Sequence, residues 1–477
     1  MKPLITTASF AALATAILLP GTAPANPWSE RVVTEHVDQT GLAGTLDRDA
    51  LIALREKGEH LFTGRFTTLD GVGRPLATQA IIPTKRKHAP ETSFARTSGM
   101  DANACSSCHN QPVVGGAGDF VTNVFVSEGF ESADFDSTDP QFSNERGSNH
   151  LFGAGLIELL AREITADLRE IRRKSLADAR AGGADVRRKL VSKGIGYGWI
   201  TAAPDGVLDM SEIEGVDADL TVRPFSQKGV MTSLRQFTVN ALNHHHGMQS
   251  DERFGLRWTG ERDHDGDDHD DEIREGDVSA MVAWQATLPP PGRMVPDSAE
   301  WRAAAERGEM VFGSIGCEGC HKPSLPLSSL SFADPGPFDM AGTLRTGDVR
   351  APAVYDLALL EWARHLPRND KGEVLVPLFG DLKRHAIADQ YVATLGNELL
   401  AQRFVERNVF MTAELWGVGS TDPYGHRNDI ASLDGVIRAH GGQARDTRDR
   451  YIALPDEDRH AIIAFLKTLV IEPEEVK

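Results

Sequence analysis

Four stretches of the chain carry apolar residues at helical spacing. Asp47 to Phe62 places Leu51, Leu54 and Leu61 on one face, with Asp47 as the predicted N-cap. Leu156 to about Lys174 lines up Leu156, Leu159, Leu160, Ile164, Leu168 and Ile171 opposite a charged face, which predicts a helix turned to the core. Asp297 with Glu300 three residues on forms a capping box before a helix that is expected to run to Phe312. After Pro455-Asp456, the residues Ile462, Phe465, Leu466 and Leu469 predict a C-terminal helix. Between them, Val113 to Gly118 is glycine-rich, Glu131 to Asn149 is polar, and Leu288-Pro289-Pro290-Pro291-Gly292 reads as a linker.

One apolar run differs in kind. Lys2 precedes the uncharged stretch Leu4 to Leu19, and Ala23-Pro24-Ala25 offers a small-x-small cleavage site before Asn26. The run is shorter than the roughly 20 residues that span a bilayer, so residues 1–25 are expected to be a secretory signal peptide and not an anchor. The mature chain is then exported, with the periplasm as the expected location and no membrane span.

The first and third helices end alike, in Gly58-Glu59-His60-Leu61-Phe62 and Gly308-Glu309-Met310-Val311-Phe312. Each ending precedes a C-x-x-C-H pentad: Cys105-Ser106-Ser107-Cys108-His109, and Cys317-Glu318-Gly319-Cys320-His321. The spacing suits covalent attachment of a c-type haem, because two thiols on one turn can each bond a vinyl group while the adjacent His becomes the proximal iron ligand. A single pentad would also fit half of a zinc site. Two pentads that use all 4 cysteines of the chain favour two covalently bound haem c groups, with Cys105, Cys108, Cys317 and Cys320 as attachment points and His109 and His321 as axial ligands. Cys317 follows Phe312 closely whereas Cys105 lies far beyond Phe62, so an insertion is expected at about Thr63 to Ala104.

The expected fold is therefore mainly α, with two cytochrome c-type haem domains carrying loop-rich insertions. Residues 26–288 would form the N-terminal haem domain and residues 289–477 the C-terminal cytochrome c domain. A length of 477 residues is too great for one core. The balance of 50 basic against 69 acidic residues, net -19, disfavours nucleic acid and suits a basic electron-transfer partner such as a small cytochrome or a cupredoxin-like protein.

Two acidic clusters remain. Asp205-Gly206-Val207-Leu208-Asp209 with Glu212 reads as a turn. Asp263, Asp265, Asp267 and Asp271 occupy the calcium-loop positions one, three, five and nine, but position six is Asp268 in place of Gly and position twelve is Arg274, so calcium and a solvated acidic loop both stand.

Toward the C-terminus, Leu415-Trp416-Gly417-Val418-Gly419, Pro423-Tyr424-Gly425-His426 and the run Ser432 to Gly442 resemble the closing segment of the diheme cytochrome c peroxidase superfamily, which also holds the methylamine-utilisation diheme enzyme and the rubber oxygenases. Within it, the chain most resembles the diheme oxidoreductases that carry the family name thiol oxidoreductase. It shares with them Arg223-Pro224-Phe225 with Lys228-Gly229, Ser233 to Phe237, and Asp381-Leu382 with His385. The resemblance covers most of the chain from about Gly58 to Leu469. It implies a peroxidase-type oxidoreductase in which a C-terminal haem relays electrons to a reactive N-terminal haem that meets a small oxidant such as hydrogen peroxide. Where the peroxidases place a Met ligand this chain has His440, which implies His321/His440 coordination and a lower potential. The chain departs from the family after His426, where Arg427-Asn428-Asp429 replaces the expected residues.

For the distal side of the N-terminal haem the candidates are Glu158 and, in Asn243 to Gln249, His245 or His246, each as acid/base or ligand. Trp258, Trp284 and Trp416 are candidates for an aromatic bridge between haems. Two rival functions stay open: a plain electron carrier, and an oxygenase or protein-modifying oxidase on the same scaffold.

Overall fold

A computed structural model describes residues 28–72, 103–126, 143–264, 266–340, 342–398 and 405–471. The expected signal peptide, most of the expected insertion, the first part of the polar stretch after Glu131, and Asp265 lie outside these residues. Ten α-helices are described: α1 (Arg48–Thr63), α2 (Ala154–Gly182), α3 (Leu234–Ala241), α4 (Asp251–Phe254), α5 (Leu256–Thr259), α6 (Glu275–Thr287), α7 (Ala299–Ile315), α8 (Leu433–Arg438), α9 (Arg445–Ala453) and α10 (Asp456–Leu466).

The expectation of a mainly α chain is overturned: the described residues are about 40% helical and 16% strand, and their strands form six small sheets. Most of these strands are two to four residues long. Their pairing is imposed by contacts distant in sequence, so no alternation of polar and apolar residues announces them. Gly44–Thr45 pairs in parallel with Ala353–Asp356, which pairs antiparallel with Ser331–Asp334. The longer hairpin Val186–Ser192 with Ile195–Ala202 turns at Lys193-Gly194, where both residues have positive φ.

The helices obey the sequence more closely. Asp47 caps α1 by accepting from Ala50 N at 2.9 Å. α7 is capped by Ser298, which accepts from Trp301 N at 3.2 Å, one residue past the expected Asp297. α10 ends at Leu466, so the expected helical residue Leu469 belongs to a short strand, Leu469–Val470.

Two helix crossings repeat one device. α1 crosses α6 and α7 crosses α10 with a glycine at each contact. A Cβ at Gly58 would lie 2.0 Å from Ala280 O, and one at Gly308 would lie 1.9 Å from Ala461 O, so only glycine lets these backbones approach. The shared ending Gly-Glu-x-x-Phe is thereby explained. Its glycine seats the crossing, and its phenylalanine reaches the histidine of the following pentad: Phe62 to His109 is 6.0 Å between ring centroids, and Phe312 to His321 is 6.3 Å.

The largest apolar cluster draws on both halves of the chain, with Leu156, Leu160 and Ile164 of α2 and Met281 of α6 beside Phe332, Tyr355 and Val376. A second gathers Phe312, Phe379, Tyr451, Ile462 and Phe465 around the second pentad, and a third gathers Phe62, Phe152, Trp284 and Leu288 around Cys105. Each pentad thus sits against its own apolar wall.

Candidate functional site

α7 stops at Gly316, whose φ of +100° only glycine adopts easily, and the chain turns at once into Cys317–Gly319 and His321. His321 Nδ1 lies 3.2 Å from Phe379 O. A carbonyl only accepts, so Nδ1 carries the proton and Nε2 keeps its lone pair for a metal. His440, just past α8, is held in the same way, with Nδ1 2.7 Å from Val436 O. The two rings face each other with centroids 6.5 Å apart at 64°. Burial pushes His321 down to about 4 and holds His440 below the ordinary histidine range, so both imidazoles are neutral, the form that ligates metals.

His321, His440, Cys317, Cys320, Leu433 and Ile437 line one cavity of about 500 Å³. Two metal–nitrogen bonds of about 2 Å each account for most of the separation between the facing rings, and the ring radii fill the rest. Residues at this site therefore fit a covalently held haem with two axial histidines.

The first pentad is built alike. His109 Nδ1 lies 3.3 Å from Gly116 O. The glycine-rich run makes this possible, because Gly115 has φ +88° and a Cβ at Gly116 would lie 1.9 Å from Gln111 O. Burial holds His109 below the ordinary histidine range as well. Phe62 stacks between His109 and Trp284, whose ring centroid is 4.3 Å from that of Phe62.

Opposite this pentad lies the π-turn Leu242–His246, a type of distortion common at functional sites. His246 Nε2 approaches Cys105 Sγ at 3.5 Å and its ring packs 5.7 Å from Phe66. His245 is pushed down to about 4 by burial and by the neighbouring His109. The adjacent histidines are thus set differently, His246 against Cys105 and His245 within electrostatic reach of His109.

Glu158 is placed elsewhere. Its carboxylate accepts from Leu234 N at 2.7 Å and pairs with Arg162, so it secures the start of α3, and burial raises its pKa to about 7. The acidic loop turns its carboxylates inward or onto cations: Asp263 accepts from the backbone N–H groups of Gly266, Asp267 and Asp268, Asp267 accepts from His269 N, and Asp271 pairs with Arg274. No group of potential metal ligands converges there among the described residues; the one that does is Cys320, Asp381 and His385. Thioether formation at Cys320 would remove its thiolate from that set. Asp205 accepts from Val207 N, and Glu212 pairs with Arg187, as a turn requires.

The three tryptophans separate clearly. Trp258 is 37% exposed and sits under Arg257 and Arg345. Trp284 backs Phe62. Trp416 is buried, lines the C-terminal cavity, and presses its ring edge on Gly153, while its carbonyl lies 3.1 Å from His150 Nε2. His150 in turn senses His109 and is pushed down to about 4 by burial.

Lys228, Arg235 and the Asp381–His385 pair prove to be anchors. Buried Lys228 donates to the carbonyls of Glu406, Arg407 and Val409 and lies 3.2 Å from Glu398. Arg235 pairs with both Asp334 and Glu252 in the core. His385 Nε2 meets Asp381 Oδ2 at 2.8 Å on the cavity wall. Glu414, on the same wall, was not singled out by the sequence, since a lone glutamate beside Leu415-Trp416 gives no signal.

No family model matches the chain, and no curated protein does. Among solved structures, hydrazine synthase of Kuenenia stuttgartiensis, from a xenon-pressurised crystal, is similar at 10% identity, covering 92% of this chain and 99% of its own, with a TM-score of 0.34. A MauG-like protein associated with microbial copper homeostasis is similar at 16% identity, covering 57% of this chain and 79% of its own, with a TM-score of 0.27. Scores of this size do not establish a family. No helix among the described residues is long and apolar enough to cross a membrane.

Proposed function

We propose that the chain is an exported c-type haem oxidoreductase with two haems, one thioether-bonded at Cys105 and Cys108 above His109, the other at Cys317 and Cys320 above His321. More particularly, we read it as a peroxidase-type enzyme of the diheme cytochrome c peroxidase superfamily. The observation that carries this reading is the facing pair His321 and His440 across a cavity that the second pentad lines.

Haem bound at the C-terminal site would supply a one-electron centre, and at the N-terminal site an iron able to meet a small oxidant such as hydrogen peroxide. The chain's own residues do the rest. Phe379 O and Gly116 O orient the two proximal histidines and make them stronger donors through their Nδ1–H bonds. His440 closes the second site against exchange. His245, half-buried in the turn opposite the first pentad and kept neutral by desolvation and the His109 charge, would be the group that takes and returns a proton there. Trp416, wedged between Gly153 and the C-terminal cavity, shortens the path between the sites. The net charge of -19 favours a basic electron donor such as a small cytochrome or cupredoxin-like protein.

A second reading, the plain electron carrier, is favoured by one observation: the His109 charge depresses His245, so a second histidine lies within electrostatic reach of the first pentad as well. Electron paramagnetic resonance of the oxidised protein separates the two. The peroxidase reading expects one low-spin iron and one high-spin iron that reacts with hydrogen peroxide; two low-spin irons inert to peroxide would establish the carrier. Turnover under dioxygen without peroxide would instead support an oxygenase.

A further inference from the structure

Glu414 is a carboxylate on the wall of the C-terminal cavity. Its Oε1 is buried without a hydrogen-bond partner among the described residues. The side chain packs on Gly380, where a Cβ would lie 3.5 Å from Glu414 Cγ. The next residue donates Leu415 N to Leu378 O at 3.1 Å and to Phe379 O at 3.4 Å. Phe379 O is also the acceptor that holds His321. Glu414 is thus one residue from the atom that orients the proximal ligand.

Most groups around it have partners of their own, while His150 Nδ1, His426 Nε2 and Trp416 Nε1 are, like Glu414 Oε1, buried without a hydrogen-bond partner among the described residues. Asp381, which faces it, is bound by Lys383 N, Thr412 Oγ1 and His385. On the other cavity walls, His150 meets Trp416 O, His426 lies 3.3 Å from Glu398, Tyr424 donates to Val418 O, Tyr451 donates to Asp434, and Arg448 donates to Arg438 O. No cation neutralises Glu414 among these contacts. Burial first, and then the Asp381 charge, raise its pKa to about 7. An added negative charge within such a cavity raises the proton affinity of a carboxylate on the order of tenfold.

We propose that Glu414 is the proton-accepting group of the C-terminal cavity: when a one-electron donor delivers an electron there, the Glu414 carboxylate takes one proton from water, and it gives that proton back when the electron leaves. One electron and one proton enter together and depart together, and the only bond made and broken is O–H on Glu414. The inference rests on haem occupying this cavity, as read above.

The test is a redox titration of the low-spin centre in the holoprotein from pH 5.5 to 8.5, followed optically. The wild type is expected to lose potential with rising pH, approaching the 59 mV that a tenfold change represents for a one-electron couple. Glu414→Gln should flatten the slope while keeping the low-spin spectrum, and Glu414→Asp should restore part of it. A Glu414→Gln slope equal to the wild type overturns the proposal and assigns the proton to haem propionates or His385. Should the variant fail to load haem, redox-difference infrared spectra of the wild type decide: a protonated carboxyl band that appears on reduction supports the proposal, and its absence overturns it. Protein that carries no covalent haem refutes the functional reading itself, a result visible before any potential is measured.

Discussion

The imidazoles of His321 and His440 lie 6.5 Å apart, centroid to centroid, each held through Nδ1 to a backbone carbonyl. Residues 119 positions apart in the chain are thus brought ring to ring, as the proposed axial pair requires. His440→Ala is expected to convert one low-spin iron to high-spin in the resonance spectrum, and His440→Met to retain low spin with a raised potential. Unchanged spectra in His440→Ala would remove His440 from the coordination sphere.

The glycine crossings make a stability prediction. Gly308→Ala pushes a methyl to within 1.9 Å of Ala461 O, and Gly58→Ala does the same to Ala280 O at 2.0 Å. Each should cost about 1–3 kcal/mol, the range of core overpacking, and each should weaken haem retention at the pentad it supports. Chemical denaturation of the two variants checks this; a change under half a kcal/mol, on the scale of surface substitutions, would show that the crossings relax.

Arg235 neutralises Asp334 and Glu252 inside the largest core cluster. Arg235→Ala leaves two buried carboxylates without a counter-charge, and a loss of about 3–5 kcal/mol is expected. Unfolding midpoints at pH 5 and pH 8 should show the loss to be smaller at pH 5, where the orphaned carboxylates can protonate.

Acid should destabilise the fold through His426. Burial first, then Arg146, Lys228 and Arg427, push it down to about 3, because Glu398 at 3.3 Å is already shared with Arg146 and Lys228. The unfolded chain binds a proton here below about 6.5 while the folded chain refuses it until about 3, so stability present above 6.5 is lost as pH falls through that window. His426→Gln should remove up to about 1.4 kcal/mol per pH unit of this slope. Denaturant midpoints at pH 7.5 and 5 measure it, and an unchanged difference would clear His426 of the effect.

The sequence made α1, α7 and α10 legible because each carries a start signal, such as Asp47 for α1 and the Asp297/Glu300 capping box one residue before the actual cap of α7. α2 outran its expected end near Lys174 and reaches Gly182, since its last turns are polar and carry no periodic signal. The small sheets were invisible: Gly44–Thr45 is a strand only because Ala353–Val354 lies beside it. At the site, the two C-x-x-C-H pentads and, through family resemblance, His440 were singled out, and the structure brings His440 within 6.5 Å of His321. The role of Glu158 did not emerge, because a helical glutamate reads the same whether it faces a ligand or, as here, the amide of Leu234. Glu414 was silent for the same reason.

The pairing of Gly44–Thr45 with Ala353–Asp356 has a practical outcome for anyone dividing the chain. A fragment starting at Gly292 would keep the second pentad yet strip Ala353–Asp356 of one of its two strand neighbours and bare Phe332 and Tyr355, which now rest against α2 and α6. An open strand edge flanked by uncovered aromatic rings invites self-association, so such a piece would be recovered as aggregate and not as a free-standing haem carrier.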